Sequence, residues 1–274
     1  MLPAVVKLCC GISYPHLRSM AGLQRMAVAV IGQGITHMQR WRHVQLPERM
    51  EPKTEDTRPV PLKEEQLFYV QQGQDAMRKA LDILEDKEGW KTEIAEGNGD
   101  VICSKVMAGA RKVFRLEAVL EASAEELYDI LFVKVEEMHR WNPSIQHIKV
   151  LKHVGPETVV THEVSAETAG NLIGQRDFLS VRHSCKHKSC IYLGGAATQL
   201  ESFPPQKGFV RAEDGPTCII IEALAEDSGR SRFTWLLNMD VKGWLPKSIV
   251  NQALPRAQLD FTRHLRRHLT ATLG

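Results

Sequence analysis

The chain has 274 residues, 43% of them apolar and 25% charged, with a formal net charge of +2. A chain of this size buries roughly 70–75% of its unfolded surface without metal or disulfide staples. Balanced charge argues against nucleic-acid binding, which wants a concentrated basic face, and no apolar run approaches the roughly 18–20 residues of a membrane span.

The first 47 residues carry Lys7, Arg18, Arg25, Arg40 and Arg42 and no Asp or Glu. On a helical projection Leu17, Met20, Ala21, Val28, Ile31 and Ile35 share one side, and Arg18 and Arg25 share another. An acid-free, Arg-bearing, amphipathic start is the pattern of a mitochondrial transit peptide, read by the import machinery. The alternative is a disordered basic tail. Residues 45–62 hold four prolines amid mixed charge and read as a linker. The expected division is 1–60 for leader and linker and 61–274 for the folded domain.

After Pro61, Leu67, Val70, Met77, Ala80, Leu81 and Leu84 fall at helical spacing, and Gly89 ends that helix. Strands follow at 90–95, 101–107 and 113–121, with Asn98-Gly99 as the turn between the first two. Residues 123–141 read as one helix opened by a capping box of Ser123 and Glu126. Asn142-Pro143-Ser144 breaks it. Six strand-like runs come next, at 145–154, 158–166, 178–185, 189–198, 217–225 and 231–241. A final helix starts at Pro246, the favoured first helical position. Leu245, Ile249, Ala253, Ala257, Phe261, Leu265 and Leu269 give it one apolar face. Helices segregated from hairpin-linked strands imply an α+β fold. A curved antiparallel sheet wrapped on a long apolar helix encloses a space.

Catalytic signatures are lacking. His162-Glu163 begins like a zinc-protease helix, but residue 166 is Ala and the segment alternates like a strand. No nucleophile elbow, P-loop or dinucleotide fingerprint occurs. His183, Cys185, His187 and Cys190 crowd around one basic hairpin turn, a poor zinc cage. The six cysteines follow no disulfide spacing, which points to a reducing compartment. The chain therefore reads as a non-enzyme with no metal or cofactor.

Glu163 and Arg182 are the informative residues. Val159, Thr161 and Glu163 share one strand face; Phe178, Ser180 and Arg182 share another. If the two strands pair antiparallel, the charges meet. They form either an exposed cross-strand pair or a paired charge inside an apolar cavity, where it would anchor a ligand with one polar end.

Four segments carry a resemblance: "RWNPS" (140–144), "AGNLIGQRDFLSVR" (169–182), "RAEDGPTC" (211–218) and "KGWLPKSIVNQAL" (242–254). They are similar to the START family of lipid-transfer domains, and "KLCCGISYPHLRSM" (7–20) resembles a mitochondrial leader carried by a member of that family. The resemblance implies a helix-grip fold, with a curved antiparallel sheet around a lipid cavity closed by the long C-terminal helix. It implies cholesterol as ligand, moved from the outer mitochondrial membrane surface toward the inner membrane for steroid hormone synthesis. Other expectations are an oxysterol, bile acid or phospholipid cargo, or an enzyme using the same cavity. Glu163 and Arg182 match the family's cavity pair, and Asn142, Thr217, Leu254 and Phe261 match positions at or near the pocket. Arg176, Asp214 and Leu269 match structural or functional positions, with Asp214 standing where mammalian members carry a histidine. Ser189 matches a phosphorylated serine. Pro255 departs from the pattern inside the last helix, where it removes a backbone bond. No Arg-Arg-x-Ser phosphosite occurs at 36–60. Arg256, Arg263, Arg266 and Arg267 are expected to meet lipid headgroups.

Overall fold

A computed structural model describes residues 63–167, 174–225 and 227–272. The expected leader and linker (1–60) and the start of the 169–182 motif, residues 169–173, lie outside the described residues.

Helix α1 (Glu64–Glu85) buries Met77, Ala80 and Leu81 of the expected stripe together with Tyr69 and Ala76, while Val70 and Leu84 are half-buried and Leu67 is exposed, which turns the buried face away from the expected one at the helix start. The hairpin β1 (Lys91–Ala95) and β2 (Val101–Val106) turns through Asn98-Gly99, where Gly99 takes φ +91°, a conformation that suits a residue without Cβ. Strand β3 (Lys112–Leu120) buries Val113, Phe114, Leu116, Ala118 and Leu120.

The next element differs from expectation. Ser123 caps as read, its Oγ accepting the Glu126 N–H at 3.2 Å. The α-helix then runs only over Ala124–Tyr128, labelled α2. It widens to a π turn at Asp129–Val133 and tightens to 3-10 over Val135–Arg140. The N–H of Lys134 reaches back five residues to the Asp129 carbonyl, while Trp141 N–H reaches back three to Met138. Those changes of pitch turn Leu127, Leu131, Phe132, Val135 and Met138 all toward the core.

The strands continue as β4 (Ile145–His153), β5 (Thr158–Ser165), β6 (Arg176–His187), β7 (Cys190–Ala197), β8 (Val210–Asp214), β9 (Thr217–Leu224), β10 (Asp227–Leu237) and β11 (Met239–Asp240). The sheet path is β1-β2-β3-β10-β9-β7-β6-β5-β4, antiparallel throughout. Strand β8 has no counterpart among the sequence-based strands. It joins by parallel pairing with β6, Phe178 opposite Ala212, and pairs antiparallel with β11.

The sheet has two buried faces. Its convex face packs on α1 through Leu179, Val181, Tyr192, Cys218, Ile220 and Leu236. The approach is close: a Cβ added at Gly194 would stand 2.7 Å from the Met77 Cβ, so only glycine fits there. The concave face packs Phe114, Leu116, Leu120, Phe233 and Leu237 with Leu254, Leu259, Leu265 and Leu269 of helix α3 (Lys247–Thr272). Each such side chain contributes about 1.5–3 kcal/mol.

Two arginines near the end of α3 are held by carboxylates. Arg266 makes bonds of 2.5 and 2.6 Å to the two carboxylate oxygens of Asp100, a buried residue of the β1–β2 hairpin, and reaches the Val119 carbonyl at 3.0 Å. Arg263 pairs with Glu96 and Asp260 at 3.0 and 3.1 Å. Both clamp the end of α3 to the β1–β2 hairpin.

Candidate binding cavity

Between the concave face and α3 lies a cavity of about 370 Å³, within the range of small-ligand pockets, about 300–1,000 Å³. Strand alternation sends Phe178, Leu193, Ile219, Trp235 and Leu237 to its wall, and α3 supplies Val250, Ala253, Leu254, Ala257 and Phe261. Phe261 is wedged between Trp235 and Trp141, with ring centroids 4.9 and 5.3 Å away.

One end of this apolar space is polar. Arg182 Nη2 donates to Glu163 Oε2 at 3.0 Å, and its Nε donates to Thr161 Oγ1 at 3.1 Å. Register explains the meeting: Thr161 lies opposite Ser180 and Glu163 opposite Phe178, so Arg182 is one diagonal step from Thr161. About a quarter of each charged side chain, 23% for Glu163 and 26% for Arg182, remains accessible, and both line the cavity. Asp214, on β8, reaches the same end, accepting from Ser180 Oγ at 3.0 Å. Burial pushes the Glu163 carboxyl above its ordinary range; Arg182 offsets this in part and Asp214 adds to it. Asp214 is raised likewise by burial, against the Ser180 hydrogen bond and Arg182. Opposite Arg182 stands Gly195, where a Cβ would meet the Val181 carbonyl oxygen at 2.7 Å.

Of the residues singled out by sequence, Glu163, Arg182, Asn142, Thr217, Leu254, Phe261, Arg176 and Asp214 all stand on the cavity wall. Asn142 also holds the chain break, its Oδ1 accepting the Ser144 N–H at 3.1 Å. The Thr217 hydroxyl donates to the Leu236 carbonyl. Arg176 gathers the carbonyls of Gly174, Val241 and Lys242 at 2.5, 3.2 and 3.3 Å, which ties β6 to the segment leading into α3. Leu269 is buried in the core and does not line the cavity, and Ser189 is exposed in the β6–β7 turn. His183 is buried on the convex face with Nδ1 at 2.8 Å from Thr158 Oγ1. Thr161 and Ser180 complete the polar end. Their placement two residues before Glu163 and Arg182 is the signal that finds them.

A START domain model matches residues 71–272. The chain belongs to the START domain family. It is 46% identical to the steroidogenic acute regulatory protein of Xenopus laevis, covering 99% of this chain and 98% of that protein. Identity is also 46% to the mitochondrial steroidogenic acute regulatory protein of Bos taurus, over 98% of this chain and 96% of the relative. Among solved START structures, the human StAR-related lipid transfer protein 5 superposes with a TM-score of 0.69 at 20% identity, covering 76% of this chain and 100% of that one. The START fold accounts for the whole described unit: a curved antiparallel sheet gripped by its C-terminal helix.

Proposed function

We propose that this chain is a non-enzymatic cholesterol carrier that promotes sterol movement to the inner mitochondrial membrane for steroid hormone synthesis. The observation that carries this reading is the cavity itself, apolar along its walls and charged at one end. A sterol buries about 500 Å² of apolar surface, about 12 kcal/mol at ~25 cal/mol per Å² before the costs of association. The charged end gives its single hydroxyl a place to bond, with Glu163 and Arg182 as the anchor and Asn142, Thr217, Leu254 and Phe261 around the body. The relatives' shared name, and the word mitochondrial in several of them, support the setting. Residues 1–60 then serve as leader and linker, and 61–274 as the lipid-binding domain acting at the outer membrane surface. Ser189, exposed beside Lys186 and Lys188, is open to phosphorylation.

A ligand so covered leaves only through a gate, and α3 is the wall that can move. A disulfide tying the first half of α3 to the sheet tests this. Residues 61–274 should carry labelled cholesterol from vesicles to mitochondria when reduced and stall when cross-linked. Full transfer in the cross-linked form removes the gate. Absence of sterol binding in the reduced form removes the carrier.

A further inference from the structure

We propose that Asp214 makes the cavity select neutral lipid head groups over anionic ones. The proposal rests on the carrier reading above and names its substrate class. Among the described residues, the titratable side chains on the cavity wall are Glu163 on β5, Glu167 just after it, Arg176 and Arg182 on β6, and Asp214 on β8; the α3 residues there are uncharged. Glu167 is exposed, and Arg176 is engaged with three main-chain carbonyls. The inner end thus sets two carboxyls, Glu163 and Asp214, against the single guanidinium of Arg182.

That ratio decides the chemistry. With Glu163 alone, Arg182 would form a neutral pair, and a sulfate or carboxylate on a ligand could compete for the guanidinium. With Asp214 added, the end either carries one surplus negative charge or keeps one proton. An uncompensated charge away from water is costly, so the proton is retained over a wider pH range than usual, consistent with the upward push on both acids. Either state repels an incoming anion or offers it no free cation. A hydroxyl or carbonyl oxygen fits both states, because it accepts from Arg182 or from a protonated carboxyl.

The test compares cholesterol with cholesterol sulfate, whose head stays anionic throughout, by displacement of a fluorescent neutral sterol from the full chain. The native protein should prefer cholesterol strongly at pH 8. Asp214→Asn keeps the size and the acceptor for Ser180 while removing the charge, and should cut the cholesterol-to-sulfate affinity ratio at least about tenfold. Asp214→Glu should restore it. Should Asp214→Asn fold poorly, the native protein supplies the same reading: lowering pH moves the two acids toward full protonation, the direction their burial favours, and the ratio should shrink steadily from pH 8 downward. A ratio unmoved by both the substitution and pH overturns the selection while leaving the carrier intact. Binding of neither sterol by the native protein overturns the carrier reading instead.

Discussion

Arg182 holds two groups at once, Thr161 through Nε and Glu163 through Nη2. Replacing it with leucine leaves Glu163 and Asp214 facing each other with no cation between. Breaking a buried pair costs about 3–5 kcal/mol. The remaining accessibility of both partners to the cavity argues for the lower end, about 3 kcal/mol, or a melting temperature lower by about 6–12 °C. Sterol affinity should fall with it. Unchanged affinity in a folded Arg182→Leu protein would make the pair structural only. The pH sign follows from the raised carboxyls. A group whose folded pKa lies above its unfolded value adds stability below the unfolded pKa and loses it as pH rises through the folded one. The deficit of Arg182→Leu should therefore shrink on acidification. Strand alternation was enough to place Glu163 and Arg182 on one face. It could not bring in Asp214, because β8 enters beside β6 by parallel pairing and no local pattern announces that partner.

Helix α3 was legible for a simple reason: its stripe repeats every four residues for its whole length, and one face must be covered. What the stripe hides is how unevenly it is held. The far end is clamped by Arg266 on Asp100 and Arg263 on Glu96, pairings separated by 166 and 167 residues and invisible to any local pattern. The half that roofs the cavity contains Pro255, which supplies no N–H to the Asn251 carbonyl. One turn on, Gln258 is fully buried, bonded through Nε2 to the Trp235 carbonyl while its Oε1 has no partner among the described residues. A weak middle beside a firm end is the shape of a flap hinged near its centre. Pro255→Ala should stiffen it. The helix gains about 3 kcal/mol from losing the proline, against two buried methylenes at about 0.8 kcal/mol each. The net is a stabilisation of ~1 kcal/mol, and vesicle-to-vesicle sterol transfer should slow. Faster transfer from a more stable protein would place the hinge elsewhere. The same limit on local reading explains the two misread elements. Residues 123–141 look like one helix because their apolar spacing tolerates the π and 3-10 turns. Val210–Asp214 is too short and too charged to look like a strand.

Across the molecule, the buried histidines and the cavity acids respond to protons in opposite senses. On the convex side His183 is buried and held toward its neutral form by that burial. His162 is lowered by burial too, despite Asp177 at 3.1 Å. His264 on α3 is likewise lowered by burial. An unfolded chain takes up protons at these histidines below about pH 6.5 while the folded chain resists, so they cost stability as pH falls. On the concave side the folded state holds protons on Glu163 and Asp214 that an unfolded chain would already have released, so these acids return stability as pH falls. The two sets enter the native protein's acid sensitivity with opposite signs. Asp214→Asn deletes one counterweight without touching the histidines. Its melting temperature should therefore drop more steeply than that of the native protein between pH 7 and about 4.5, and adding His183→Gln should flatten the curve again. Parallel melting curves for native protein and Asp214→Asn would mean that Asp214 titrates alike in both states and contributes nothing to the balance.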